Sequence, residues 1–414
     1  MSERRAIGGV GSETMKVGIG YSENPDSAEA GTRVAREALA QSGADRCDIV
    51  LLFSTARHDA QALRDAVASV VGAGVPIVGG WSVGAISSEC FGYAGDQVVL
   101  AALTLGNVAC DLLVEGDLAC GEYPVGQRLG RRLAALGANR NSPVLLFYDS
   151  ADHSGSSPHL ILATPLIDGI ENGLGFLPNL VGCGLMGDMI AQPTLQWTGE
   201  GIGECKALAL LFSGGIRLDS IVMHGCKPAT GYHTVTAADG ATILEIDGVP
   251  ALDFVRSIMG ESIPVEDYGL FLTFGMNKGD KWGPFDEESY VNRLCLSVDE
   301  ARNGLTMFEA DMVTGTEFQI MHRSIDMDYI APRVERCFAR LEGRKPRFAL
   351  YINCTGRAAG YAGIDSEDAV AIQKAIAGRA PLLGLYSGVE IGQIMGRARA
   401  LDWTGVFCLL SAPS

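Results

Sequence analysis

Three stretches of the chain run apolar with polar residues only at their ends: DIVLLFS (48–54), PVLLFYD (143–149) and RFALYIN (347–353). A strand covered on both faces reads this way, because neither alternating set of side chains meets water. An amphipathic stretch follows the first. Leu63, Ala66, Val67, Val70 and Val71 fall at i, i+3, i+4, i+7 and i+8, one face of a helix. The third copy carries Ala369, Ile372, Gln373 and Ile376 after the acidic turn DSED, suited to a helix N-terminus. Each helix leads to a short apolar strand that closes on glycine: Pro76-IVGGWSVGAI, Asn179-LVGCGLMGDM and Pro381-LLGLYSGVEI. Gly79, Gly182 and Gly384 hold the same place, and Gly84, Gly187 and Gly388 follow within five positions. A further helix precedes each copy (26–42, 123–136, 327–342), and a further strand closes it (96–103, 207–212, 406–411). Trp197-Thr198-Gly199 and Trp403-Thr404-Gly405 introduce the second and third closing strands.

The pattern is therefore an α-β-α-β-loop-β unit repeated three times, with glycine loops shaping one sheet edge. Helices between buried strands imply right-handed crossovers and parallel pairing. The expected fold class is α/β, with buried mixed or parallel sheets. The middle of the chain differs. Residues 233–248 alternate around an Asp239-Gly240 turn and read as a hairpin. Residues 249–260 read as a helix, and YGLFLTFGMN, SYVNRLCLSV, LTMFEAD and EFQIMHRS as antiparallel strands. The polar, glycine-bearing segment 276–289 reads as an exposed loop. At about 150 residues per domain, the length suggests two or three domains. The expected division is 1–226, with two repeat units, and 227–414, with the antiparallel insertion and the third unit.

Composition narrows the function. The chain has 53 glycines in 414 residues, scattered rather than periodic, which excludes collagen and low-complexity disorder. With 32 basic and 49 acidic residues the net charge is −17. Such a surface repels phosphate backbones and anionic bilayers, so neither nucleic acid nor membrane is an expected partner. The N-terminal segment has no apolar core of a signal peptide, and no run of about 18 apolar residues occurs. Eleven cysteines, an odd number with no CxxC, read as mostly buried free thiols in a reducing cytoplasm.

Several candidate sites weigh little. Gly80-Trp81-Ser82-Val83-Gly84 matches GxSxG, but that motif needs a helix after it, and AISSECFGYAGDQ is not one. Asp149-Ser150-Ala151-Asp152-His153-Ser154 holds the residue types of a triad, yet sequence neighbours seldom face each other usefully. No histidine pair has zinc spacing, and no phosphate loop occurs. The densest constellation is in the third copy: Asn353-Cys354-Thr355-Gly356-Arg357 after one strand and Tyr386-Ser387-Gly388-Val389-Glu390 after the next. Parallel strands would bring both loops to one edge. Arg357 offers a fork for a carboxylate, Cys354 a thiol, and Glu390 an acceptor or a partner for the arginine. Either an Arg357–Glu390 ion pair fixing two loops or a ligand pocket fits this arrangement.

At these residues the chain resembles FIST-domain proteins. NCTGR (353–357) is similar to the family's Cys-x-Gly-Arg signature, and GLYSGVEIG to its Gly-x-Tyr-x-x-Gly-Glu-Ile stretch, with the glycine one place early. VGGWSVGAIS (78–87) resembles the N-terminal signature, and EIDGVPALDF (245–254) the opening of the C-terminal half. The resemblance implies a cytoplasmic sensory module of bacterial signal transduction, two-component systems included, that binds a small molecule such as an amino acid. Its partner would be a separate histidine kinase, chemoreceptor or diguanylate cyclase. The ligand would be held by Cys354, Thr355, Arg357, Tyr386, Ser387 and Glu390, with Trp81 and Ser82 in the wall. No cofactor and no enzymatic activity are expected. Two alternatives are a haem-based gas sensor acting on a histidine kinase, with His322 as axial ligand, and a hydrolase using Cys354 or Ser82.

Overall fold

The three copies are three α/β units that exchange strands. The computed structural model describes residues 3–8, 14–153, 159–188, 194–260 and 264–413. Each unit opens with a strand absent from the expected pattern: Lys16–Ser22, Ala109–Glu115 or Arg217–Met223. A helix follows (Ser27–Ser42, Glu122–Ala135, Ile330–Ala339). Then come a strand (Ile49–Ser54, Pro143–Asp149, Lys345–Cys354) and a second helix (Ala60–Val71, Ala163–Leu174, Asp368–Ile376). The glycine-bearing strand is next (Ile77–Trp81, Asn179–Leu185, Leu382–Ser387), and a closing strand ends the unit (Val98–Thr104, Ala207–Ser213, Gly405–Ala412). The order across every sheet is opening, closing, first middle and glycine-bearing strand. Only the two middle strands are parallel; the other pairs are antiparallel.

The segment after each glycine strand leaves its own sheet. Gly84–Ser87 of the first unit pairs with Leu382–Ser387 of the third. Gln196–Gly199 of the second pairs with Ile77–Trp81 of the first, and Val389–Ile394 of the third with Asn179–Leu185 of the second. Each unit thus lends a strand to a neighbour, in a closed cycle. This corrects the reading of the two Trp-Thr-Gly runs as equivalents. Trp197 lies in a lent strand opposite Gly79, whereas Trp403 precedes a closing strand. Ala207 and Gly405 occupy the same register, opposite Tyr148 and Asn353, so the counterpart of Trp403 is Cys205. Both have left-handed backbones, φ 51° and 53°.

Inward-facing residues of the three sheets, among them Leu51, Phe53, Leu145, Phe147, Leu350 and Ile352, merge into one core. Phe53 and Phe147 meet edge to face there, 5.2 Å apart. The opposite faces carry the helices. Glycine sets how closely these layers approach. A Cβ on Gly126 or Gly130 would overlap a carbonyl of the facing helix, and one on Gly169 or Gly173 would do the same in return. Gly18 and Gly20 open the same space beneath Ser27–Ser42. Gly79, Gly182 and Gly384 are not turn residues but lie within strands, where a Cβ would meet the carbonyl of Leu52, Leu146 or Tyr351.

The antiparallel insertion lies between the opening strand and first helix of the third unit. His233–Asp239, Thr242–Ile246, Gly304–Met307, Tyr290–Asp299, Thr273–Asn277 and Glu317–His322 close on one another as a barrel. Val235, Ile243, Phe274, Val291 and Phe318 are buried in it. The expected strand YGLFLTFGMN is split: Tyr268–Phe271 is a helical turn and only Thr273–Asn277 pairs. The expected division at 226/227 falls on the connection leading into the barrel.

Candidate functional site

Parallel pairing brings the middle strands of every unit to the same edge. Hydrogen bonds between units cross there: Trp81 N donates to Leu195 O (2.9 Å), Val83 N to Tyr386 O (3.2 Å) and Gly388 N to Gly184 O (3.0 Å). Trp81 and Ser82 are the repeat counterparts of Tyr386 and Ser387, since Ser54 pairs with Trp81 as Asn353 pairs with Tyr386. Trp81 packs on the helix side of the first unit and Tyr386 on that of the third, so their side chains do not share one wall. Ser82 is buried and its hydroxyl donates to Gly84 O at 2.9 Å.

Arg357 and Glu390 do not pair with each other. Arg357 is 4% exposed, and its guanidinium meets Asp368 Oδ2 at 3.0 and 3.2 Å. It also donates to Asn353 Oδ1 (3.2 Å), Tyr329 Oη (2.6 Å), His224 O (3.0 Å) and Trp403 O (3.4 Å). Asp368 in turn accepts from Tyr351 Oη and Asn353 Nδ2. The sequence reading gave this aspartate only to the helix N-terminus and missed Tyr329 and His224 altogether; the spacing of DSED from Arg357 was the available signal.

Glu390 is fully buried. Its carboxyl accepts from Ser387 Oγ (2.9 Å) and Thr404 N (3.3 Å). Burial raises its pKa well above the usual carboxylate range, with Asp402 adding to the effect. Its counterpart in the second unit is Gln196, because Glu390 lies opposite Cys183 as Gln196 lies opposite Gly80. Gln196 accepts from Lys206 N at 2.9 Å and donates to Lys206 O at 3.0 Å. Thr355 Oγ1 donates to Ser387 O, and Ser387 Oγ also lies 3.2 Å from Asn353 O, so the two loops are tied together. Burial, with Glu390 nearby, pushes the Cys354 thiol up, which keeps it protonated rather than nucleophilic.

Tyr93 of the first unit meets Tyr386 and Tyr361, with ring centroids 5.2 and 5.5 Å apart. Glu367 accepts from Tyr386 Oη (2.9 Å), Tyr93 Oη (3.3 Å) and Ala359 N (3.0 Å). Burial, with Asp368 beside it, raises the Glu367 carboxyl to about 7.

The other candidates are placed as follows. Ser150 Oγ donates to Leu185 O at 2.6 Å, and Asp152 pairs with His159 at 2.9 Å, so the triad residue types do not align. Asp149 accepts from Cys205 N, and burial raises it to about 7. Ser154 and Met189 lie outside the described residues. Eight of the eleven cysteines are buried and all are free. Among the described residues no cluster of His, Cys, Asp or Glu could hold a metal. His322 is exposed and lies opposite Lys227, also exposed, which fits a solvated strand end rather than the apolar slot a porphyrin needs. A groove of about 720 Å³, lined by Tyr21, Glu23, Arg33, Glu37 and Cys90 among others, lies away from these residues.

Residues 48–249 match the FIST N domain and residues 251–393 the FIST C domain. The chain belongs to the FIST family. FIST domains are sensory domains of signal transduction. Relatives include the "Uncharacterized protein Mb0898c" of Mycobacterium bovis, 30% identical over 199 residues, which are 47% of this chain and 51% of that one. The "Uncharacterized protein Rv0628c" of Mycobacterium tuberculosis is 29% identical over 203 residues, 47% of this chain and 52% of that one. The matched region spans about half the length of these curated relatives. A chorismatase crystal structure is similar at 12% identity, covering 100% of this chain and 98% of that one, with a TM-score of 0.32, too loose a likeness to argue from. Among the described residues no helix is long and apolar enough to cross a membrane.

Proposed function

We propose that this FIST protein is a small-molecule sensor whose ligand-dependent state is read by a separate signalling protein. The observation that carries this reading is the strand exchange. In the first and third units the glycine strand runs directly into a strand of a neighbouring unit's sheet, and the second unit lends Gln196–Gly199 to the first. A ligand held at the shared strand-end edge acts on the joints between units, so a small local shift is passed to a whole sheet. Signalling requires that the ligand favour one of two such arrangements. The residues at that edge support binding over catalysis: Cys354 is a buried, protonated thiol and the Ser82 and Ser150 hydroxyls are committed to carbonyls.

A thermal-shift screen of amino acids and small organic acids tests the reading. A ligand at a hundredfold excess over Kd stabilises the folded state by about 2.7 kcal/mol, a shift of several degrees. No shift by any compound, at concentrations that saturate millimolar sites, overturns it.

A further inference from the structure

In every unit the opening strand lies on the outer side of its sheet, beside the turn of the hairpin that the unit lends to its neighbour. Strand and turn enclose a groove. In the second unit this groove is filled. Glu3–Gly8 runs antiparallel along Ala109–Glu115, with Arg5 opposite Leu112 and Ile7 opposite Cys110. Ile7 joins the central core. Arg5 Nη1 donates to Glu200 Oε1 at 3.1 Å, in the turn of the lent hairpin (196–203), and Arg5 also reaches Gly74 O. That turn abuts the strand, since a Cβ on Gly199 would come within 2.7 Å of Leu112.

In the first unit the same groove is open. Lys16–Ser22 ends its sheet, and among the described residues no strand pairs with its outer edge. Ser22 lies opposite Val98 as Glu115 lies opposite Ala207, so Ile19 and Tyr21 stand where Leu112 and Val114 stand in the second unit. Their N–H groups point off the sheet into helix side chains: Ile19 N donates to Gln41 Oε1 (2.5 Å) and Tyr21 N to Glu37 Oε2 (3.2 Å). Glu37 and Gln41 are exposed and can turn out when other acceptors arrive. The second unit has Arg132 in place of Glu37, since Gly126 and Gly31 face Leu166 O and Leu63 O alike; it bonds a carbonyl, Val114 O, rather than an N–H. The open groove has a volume of about 720 Å³ and is acidic, with Glu23, Glu37 and Glu89 against one cation, Arg33. Glu89 is exposed in the lent hairpin's turn, as Glu200 is in the second unit. The third groove, of about 580 Å³, is already tied across: Asn179 and Arg340 bond Leu218 O and Ser220 O of the strand edge, and Arg336 and Arg340 hold Glu288.

We propose that the first unit's groove takes an extended basic segment of a partner protein as an added β-strand. The segment lies antiparallel to Lys16–Ser22, and its carbonyls replace Gln41 and Glu37 at the Ile19 and Tyr21 N–H groups. An arginine or lysine on it meets Glu89 as Arg5 meets Glu200. An apolar residue two places further on faces Val17 as Ile7 faces Cys110. Main-chain bonds supply the affinity, and the acidic lining selects for basic segments. This surface lies away from the strand-end edge, and the inference stands whether or not a small molecule binds there.

The probe is a fluorescein-labelled peptide of residues 2–9, SERRAIGG, the sequence that fills the second groove, titrated into the full chain and followed by anisotropy. It binds, and amide hydrogen exchange slows in Lys16–Ser22. Glu89→Lys weakens binding by about fivefold or more, through a lost ion pair and a new repulsion, whereas Glu200→Lys leaves it unchanged. A peptide carrying Arg5→Glu binds the Glu89→Lys protein more tightly than it binds the parent. No binding at about 1 mM peptide overturns the site. Weakening by Glu200→Lys instead, with slowed exchange in Ala109–Glu115, also overturns it, because the peptide then only displaces the chain's own first strand. Equal binding of the two peptides by the parent overturns the choice of a basic segment. A parent that sediments as a dimer at about 100 μM, and as a monomer once Glu89 is lysine, overturns the partner assignment in favour of a second copy of this chain.

Discussion

At the residue scale the informative comparison is internal. Glu390 and Gln196 fill the same position in two units and each accepts from the N–H that precedes a closing strand. A protonated carboxyl can imitate the amide, and burial makes it do so. The folded protein then holds a proton that the unfolded chain releases above about pH 4.3. Stability contributed this way falls as pH rises from the ordinary carboxylate range towards the raised folded value. Glu390→Gln is therefore expected to unfold at higher urea than the parent at pH 8. At pH 5 the gain shrinks. Greater urea sensitivity at pH 8 would mean that Glu390 is ionised and paired. The sequence named Glu390 and Arg357 as one constellation, and they do lie on adjacent, linked loops. It did not reveal that Asp368 balances Arg357, because a helix-capping carboxylate and an ion-pair partner look alike until the helix direction is known.

At the scale of elements, apolar periodicity located the helices and the buried strands because both faces of each central strand are covered. It missed Lys16–Ser22, which carries Gly18 and Gly20. Those glycines are packing residues, as are Gly126, Gly130, Gly169 and Gly173. Helix propensity alone favours alanine at such positions by about 1 kcal/mol. Overpacking costs about 1–3 kcal/mol, and here the obstacle is backbone rather than a movable side chain. Gly126→Ala and Gly173→Ala are accordingly expected to lower the melting temperature, whereas alanine at an exposed helix position would not. Differential scanning calorimetry checks the sign; a rise in either variant would show that the helices can part without loss.

At the scale of the whole molecule the three units cannot be stable independently of one another. A fragment ending at residue 226 keeps Gly84–Ser87 but loses its sheet partner Leu382–Ser387, and its second sheet loses the edge supplied by Val389–Ile394. The complementary fragment keeps the barrel but loses the strand lent by the first unit. The central core is shared as well, since Phe53, Phe147 and Ile352 belong to different units and one apolar cluster. Splitting the chain there exposes that cluster in both pieces and leaves unpaired strand edges, the usual route to aggregation. The prediction is that neither fragment alone is a monodisperse folded monomer by size exclusion and circular dichroism. Co-expressed, they associate through the missing strand pairs. The intact chain should lose its secondary structure and its tryptophan signals in one coincident urea transition. Two separated transitions, or a folded monomeric 1–226 fragment, would show that the lent strands are dispensable, and the coupling assigned to the strand-end joints would go with them.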